Sequence, residues 1–430
     1  MSLGRQIVAN YVGSAVSILA PVVTSPIYLH ALGPEQWGLL GVVLTLVALL
    51  ALLDHGIHQT LLREFAIRSH PESPENAELP WLLHRFARLY WTFALIVGVL
   101  VVLLSKIIAT RWLHADGLDP ALCWKAIALA GIFVTVQIPG LLYGSALIGT
   151  GNQVAYNAVF ATAMFARHAV GIGIMLFRPN VLWLIGWYVA VGAAETAVRR
   201  HLALRIAGPR GAQYSHSDSM RLVFTSAAGM SAAVLLGALS AQIDKVLLSG
   251  LVSVEVFGYY AVAANVSLAL LNLVYPIVTA ALPRLAATGE RSGDYHRVLV
   301  RMFAGILCIT VIVGSIFWLG GRRLLLLWLR DAAYAANVWN PLSLLLIGTG
   351  LNALYNVGYA VWVARGAVRP ILFVNVVAVV LSAAGIPWLV GRYGIRGAAM
   401  VWIITNAIRL ACSCGWMFRT VPADARSAPA

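Results

Sequence analysis

Runs of about 20 mainly apolar residues, each long enough to cross the ~30 Å hydrocarbon core of a bilayer as a helix, follow one another along this chain. They lie near 7–29, 38–60, 88–108, 122–147, 154–177, 181–202, 222–249, 257–282, 299–320, 335–361, 370–390 and 396–418. Backbone polar groups have no water partner in lipid, so such runs must be helical. The expectation is an all-α polytopic membrane protein with about twelve spans. Composition agrees, with 60% hydrophobic and 11% charged residues against roughly 25% charged in soluble domains. The longest loop runs only from Arg63 to His84, which leaves no room for a soluble catalytic domain. The first run, from Ile7, carries no cleavable signal pattern and is expected to insert the chain itself.

The net charge of +14 has the look of a nucleic-acid footprint, but a membrane protein explains it better. Basic residues in cytoplasmic loops set orientation and meet anionic lipid. With the N-terminus inside, the inner loops hold Arg63, Arg68, Arg85, Arg88, Arg199, Arg200, Arg205, Arg210 and Arg221, among others. They carry about twice as many basic residues as the outer ones. Both termini are therefore expected in the cytoplasm. The four cysteines, Cys123, Cys308, Cys412 and Cys414, show no metal or redox spacing, and Cys412 and Cys414 read as small helix-packing residues.

One junction between spans is written twice. E-Q-W-G-L-L (Glu35–Leu40) returns as E-V-F-G-Y-Y (Glu255–Tyr260), 220 residues later. Six spans precede the second copy, so both copies run in the same direction. Either this is chance, since glycine and aromatic residues are common at interfaces, or the chain is a parallel repeat of two six-helix lobes around a central cavity. The repeat reading divides it into an N-lobe (1–204), a cytoplasmic connector (205–221), a C-lobe (222–419) and a disordered cytoplasmic tail (420–430). In each junction the acid precedes a helix start, where negative charge is favoured, and the ring is expected at headgroup level. Both roles are structural.

Polar groups inside spans face partners or water. Asn10, Ser14, Ser17, Pro21 and Thr24 recur at helical spacing on the first span. Ser226, Gly229, Ala233, Gly237, Ser240 and Asp244 do so on the seventh, and Asn265, Asn272, Pro276 and Thr279 on the eighth. Such stripes serve close helix packing or line a cavity. The ionisable residues are Asp54, His55 and His58 in span two, Arg167 and His168 in span five, Glu195 in span six, Asp244 and Lys245 in span seven, and Arg409 in span twelve. An unpaired arginine at mid-membrane costs at least about 2.5 kcal/mol, so Arg167 and Arg409 require a carboxylate, a cavity or an anionic ligand. Asp54 and Glu195 could pair with them within a lobe. Asp244 and Lys245, being adjacent, are expected to face different sides of their helix. The Asp54, His55 and His58 cluster lacks further metal ligands nearby. No phosphate-cradling G-x-x-x-x-G-K-S/T or H-E-x-x-H motif occurs, and no cofactor or metal is expected.

Several segments resemble the Wzx-type O-antigen flippases of the polysaccharide transporter family, within the multidrug/oligosaccharidyl-lipid/polysaccharide (MOP) exporter superfamily. They are A-L-G-P-E-Q-W-G-L (31–39), L-L-D-H-G-I-H-Q-T-L-L-R (52–63), I-D-K-V-L-L-S-G-L (243–251), E-V-F-G-Y-Y-A-V-A (255–263) and P-I-V-T-A-A-L-P-R-L (276–285). Their order and spacing carry the match. The resemblance implies a MATE-like fold and alternating access in a bacterial inner membrane. The implied substrate is a glycan on undecaprenyl diphosphate, moved from the cytoplasmic to the periplasmic leaflet, with a glycan polymerase as a further partner. A cationic cavity would receive the diphosphate on Arg167, Arg409 and Lys245, with Asn10, Ser14, Ser17, Thr24, Asn265 and Asn272 lining the sugar path. Asp54, Glu195 or Asp244 would couple transport to protons, sodium or the membrane potential. The related lipid II flippases have fourteen spans, two beyond this count. A cation antiporter of the same superfamily would want an acidic cavity, a membrane glycan polymerase or ligase a large periplasmic loop, and a non-transporting scaffold remains a third alternative.

Overall fold

The computed structural model describes residues 3–52, 55–69, 78–208, 232, 235–287 and 293–416, with side chains from Ala20 onward. Twelve α-helices are α1 (Leu3–Ala51), α2 (His55–Arg68), α3 (Leu79–Ile107), α4 (Pro120–Gly149), α5 (Gln153–Phe177), α6 (Val181–Ala207), α7 (Ile243–Ser249), α8 (Val254–Ala287), α9 (Gly293–Leu329), α10 (Ala332–Ala364), α11 (Val368–Tyr393) and α12 (Ile395–Ser413). Among the described residues, ten helices are long and apolar enough to cross a membrane.

The difference from twelve expected spans has two sources. First, α1 holds spans one and two in one helical element of 49 residues. At 1.5 Å per residue it would measure about 74 Å, more than twice a bilayer core. It is divided at Gly33, whose φ of 74° and ψ of 166° are non-helical and suit a residue without Cβ. Second, the first part of the seventh expected span, 222–231 with 233 and 234, lies outside the described residues. Its end comprises a helical stretch at 235–240, a turn at 241–242 and then α7. The second expected span was also drawn too long. Helix ends at Ala51, and α2 is a separate element carrying Arg63 and Arg68. With α3 starting at Leu79, the long Arg63–His84 loop shrinks by a turn or more at each end.

The described residues form two compact units, from within Met1–Leu235 with Ser253–Gly258, and from within Leu236–Val252 with Tyr259–Ala430. The expected connector, 205–221, is outside the described residues beyond Gly208, and so is the expected tail, 420–430. In the first unit α4 is central, packing on α1, α2, α3 and α6. In the second, α10 packs on α9 and α12. There Leu271, Val274 and Val278 of α8 meet Leu299, Met302 and Ile306 of α9 and Ala353, Val357 and Val361 of α10.

The two central helices begin alike. Asp119 Oδ1 accepts from Ala121 N (2.9 Å) and Asp331 Oδ1 from Tyr334 N (2.8 Å), so each helix has an acidic N-cap that satisfies a free N–H. Each is followed by a turn with a left-handed glycine, Gly151 or Gly366.

Both repeated junctions enter the first unit. A Cβ on Gly38 would fall 1.9 Å from the Val254 carbonyl oxygen, so only glycine fits. Val254 N donates to the His114 carbonyl (2.9 Å) in the loop between α3 and α4. Gln36 Oε1 accepts from Val181 N (3.0 Å), the first residue of α6. Phe257, expected at headgroup level, is instead fully buried: the junction serves as packing core. Cys412, expected to pack between helices, is exposed.

Candidate functional site: buried arginine centres

The first unit gathers three ionisable side chains from α5 and α6. Glu195 Oε2 accepts from Arg167 Nη2 at 3.3 Å, and its other oxygen pairs with Arg199, one turn further along α6. The Arg167 guanidinium also lies 5.6 Å from the ring centres of Phe133 and Tyr188, and Arg199 lies 4.7 Å from that of Tyr156, both favourable cation–π distances. Arg199 Nη1 donates to the Gly140 carbonyl (3.4 Å). Two guanidiniums thus share one carboxylate. Among the described residues the Nε groups of both find no hydrogen-bond partner.

This corrects the placement of Arg199 in a cytoplasmic loop, for it is buried within α6. A signal was present. Glu195-Thr196-Ala197-Val198-Arg199 returns 210 residues later as Thr405-Asn406-Ala407-Ile408-Arg409. The two segments share Ala and Arg at the same spacing, with both arginines in the second half of their helix, α6 or α12.

Arg409 is 4% exposed. Its Nη2 donates to Ser240 Oγ (2.5 Å) and Asn375 Oδ1 (2.9 Å), and its guanidinium lies 5.8 Å from the Tyr355 ring centre. Among the described residues no carboxylate reaches it, and its Nε has no partner. The Glu195 position one turn earlier is Thr405. Around it runs a network the sequence reading missed: Asn352 Nδ2 donates to Asn406 Oδ1 (2.7 Å), and Asn356 Nδ2 to the Asn352 carbonyl (2.8 Å). The four-residue step between Asn352 and Asn356, and the three-residue step from Asn406 to Arg409, were the available signals.

Asp244 and Lys245 do not face opposite sides. Lys245 Nζ curls back to Asp244 Oδ1 (3.3 Å) and to the Ala241 carbonyl (3.0 Å), while Tyr260 donates to Asp244 Oδ2 (2.7 Å). The turn at 241–242 breaks the helix just before them, and a four-carbon stem can then fold over the first turn of α7. Lys245 is therefore paired within its own turn.

The remaining candidates divide. Asp54 and the side chains of Asn10, Ser14, Ser17 and His55 lie outside the described residues. His58 Nδ1 and Ser145 Oγ share a hydrogen bond of 2.6 Å. Thr24, expected on a cavity wall, is buried and shares a 2.9 Å hydrogen bond with His168 Nδ1; a polar group on that helix face satisfies a packing partner. Asn265, Asn272 and Thr279 lie on an exposed face of α8, away from the α8 core residues.

Comparison with known proteins follows this geometry. A model of the polysaccharide biosynthesis protein family matches residues 3–288. A candidate O-antigen transporter from Shigella flexneri is 21% identical over 407 residues, covering 94% of this chain and 95% of its own. Among solved structures, the lipid II flippase MurJ in an inward closed conformation superposes with a TM-score of 0.71 at 10% identity, covering 95% of this chain and 86% of MurJ. An inward-facing multidrug resistance MATE family transporter of the MOP superfamily gives 0.68 at 13%, covering 97% and 99%. A MOP superfamily transporter from Pyrococcus furiosus, described as having a binding pocket of reversed polarity, gives 0.63 at 15%, covering 96% and 93%. The fold is that of the MOP exporters.

Proposed function

This chain belongs to the polysaccharide biosynthesis protein family, and from that premise we propose that it is a flippase for a lipid-linked oligosaccharide. The substrate is a glycan repeat unit on undecaprenyl diphosphate, carried by alternating access from the cytoplasmic to the periplasmic leaflet of a bacterial inner membrane, both termini being cytoplasmic. It serves O-antigen or another surface polysaccharide, upstream of a polymerase, and catalyses no bond change itself. The similarity to an O-antigen transporter and to a lipid II flippase supports the substrate class.

One observation carries the reading. Among the described residues, the arginine centres hold Arg167, Arg199 and Arg409 with one paired carboxylate, that of Glu195. A cationic excess in membrane helices is costly and complements a diphosphate, which takes charge-assisted, often bidentate bonds from arginine. A cationic drug would be repelled by it. Arg409 is the principal headgroup ligand in this reading, because among the described residues no carboxylate pairs with it; Arg167, paired with Glu195, and Lys245, paired with Asp244, are lesser candidates. Asn265 and Asn272, on the exposed face of α8, remain in the sugar path. Glu195 and Asp244 are the coupling candidates whose partners are described, for a proton or sodium gradient or the membrane potential.

The test is sidedness. Cells lacking the gene should accumulate complete single lipid-linked units in the cytoplasmic leaflet, shielded from a membrane-impermeant label. Arg409→Gln at equal protein level should slow labelling on the order of tenfold or more, the worth of one charged hydrogen bond, and Arg409→Lys should restore part of it. Unpolymerised units on the periplasmic side of the deletion strain would refute the flippase reading in favour of the polymerase or scaffold.

A further inference from the structure

We propose that the groove at the α9–α10 turn of the second unit is a binding site for the headgroup of an anionic glycerophospholipid, distinct from the arginine centres. The groove encloses about 540 Å³, within the range of small-ligand sites. Two helical stripes build it. From α9 come Trp318, Leu319, Arg322, Arg323 and Leu326, and from α10 come Ala332, Ala335, Ala336 and Trp339. Residues three and four apart share a helix face, so each stripe is one wall. The alanines and the Gly320–Gly321 pair leave the space open. Trp339 closes one end against Gly321, where a Cβ would fall 2.4 Å from the ring.

The chemistry follows from what surrounds the arginines. Trp318 is 78% exposed, Leu319 83% and, beyond the pair, Leu327 74%. Arg322 and Arg323 therefore interrupt a lipid-facing apolar surface. Charges so placed need an anion or the headgroup layer. Their height agrees: Arg301, near the other end of α9, lies 21 residues earlier, about 32 Å along a helix, so basic residues stand at both edges of one bilayer core. Nearby Asp331 caps Tyr334 N, and among the described residues it forms no ion pair with either arginine. Two guanidiniums beside exposed tryptophan, above an apolar wall, fit one phosphate diester with its acyl chains running down α9. A similar groove of about 530 Å³ between α5 and α6 holds a single arginine, Arg178, and supplies the control.

The experiment is native mass spectrometry of the full chain titrated with phosphatidylglycerol, phosphatidylcholine or inorganic phosphate. The wild type should retain phosphatidylglycerol adducts in preference to both others. Arg322→Gln/Arg323→Gln should lose that affinity on the order of thirtyfold, about fivefold for each basic residue at an anionic surface. Ala332→Trp, which fills the groove and keeps both charges, should weaken it as well, and Arg178→Gln should leave it unchanged. Equal retention by the double variant, or equal retention of phosphatidylcholine by the wild type, overturns the site. So does competition by inorganic phosphate at matched concentration, which would make it a free-anion site.

Discussion

Replacing Glu195 by Gln leaves Arg167 and Arg199 facing each other without the carboxylate between them. The side chains concerned are only 7–12% exposed, so solvent screens them little. At an effective dielectric of about 20, each contact is worth about 5 kcal/mol of gross attraction. Most of it offsets the desolvation of Glu195 itself, which the neutral variant no longer suffers. Breaking a buried pair by removing one partner costs about 3–5 kcal/mol, and the glutamine oxygen recovers about 1 kcal/mol through one neutral hydrogen bond. The expected destabilisation is therefore about 3 kcal/mol, read as the shift of a reversible detergent-denaturation curve. The decisive variant is the double one. Glu195→Gln/Arg199→Gln has the same net charge at the centre as the wild type, and should be more stable than the summed single effects by about 2 kcal/mol, within the range of couplings between residues in contact. Additive effects, or a single variant indistinguishable from wild type, would mean that the three groups are not an electrostatic unit.

Lys245→Met should cost about 3–5 kcal/mol by stranding buried Asp244 with only Tyr260 as a side-chain partner. The double Asp244→Asn/Lys245→Met should recover most of that in the same denaturation assay, and a silent single variant would show that the pair is not formed in the membrane. Gly38→Ala should be poorly folded, since its methyl group would overlap the Val254 carbonyl and overpacking against backbone costs at least about 1–3 kcal/mol. Wild-type thermal stability for that variant would disprove the close approach of the two junctions.

The membrane-crossing middle of nearly every described helix was legible, because lipid demands an uninterrupted apolar run. The ends were not. The run expected at 299–320 is in fact Gly293–Leu329, because a helix continues through charged residues such as Arg297 and Arg323 that hydropathy alone assigns to loops. The same effect hides Arg199, which stands beside Arg200 and near Arg205, where sequence proximity to charge suggests exposure. Helical phase separates them, with Arg199 turned toward Glu195 and Tyr156 and Arg200 exposed. The Asp244–Lys245 pair was illegible for another reason, since neighbours in a regular helix diverge and only the break at 241–242 lets them meet. Thr24 shows the limit of stripe arguments, for the same spacing that would line a cavity also aims a hydroxyl at His168.

The match between Arg199 and Arg409 bears on mechanism more than either residue does alone. If the two halves descend from one repeated unit, the ancestral last helix carried an arginine at this point, and the halves now differ in how that charge is answered. In α6 the residue one turn earlier is Glu195, and the guanidinium is held by a carboxylate and shared with Arg167. In α12 that residue is Thr405, and among the described residues the guanidinium is held by neutral Ser240, Asn375 and the Tyr355 ring. Neutral partners satisfy hydrogen bonds but do not cancel charge, so in the proposed function a diphosphate would meet Arg409 without displacing any carboxylate of the described residues. At Arg167 it must compete with Glu195. Glu195→Gln then has a second consequence, opposite in sign to its effect on stability. It should tighten binding of a soluble diphosphate analogue to the purified protein while slowing turnover, and Arg409→Gln should weaken binding whether or not Glu195 is present.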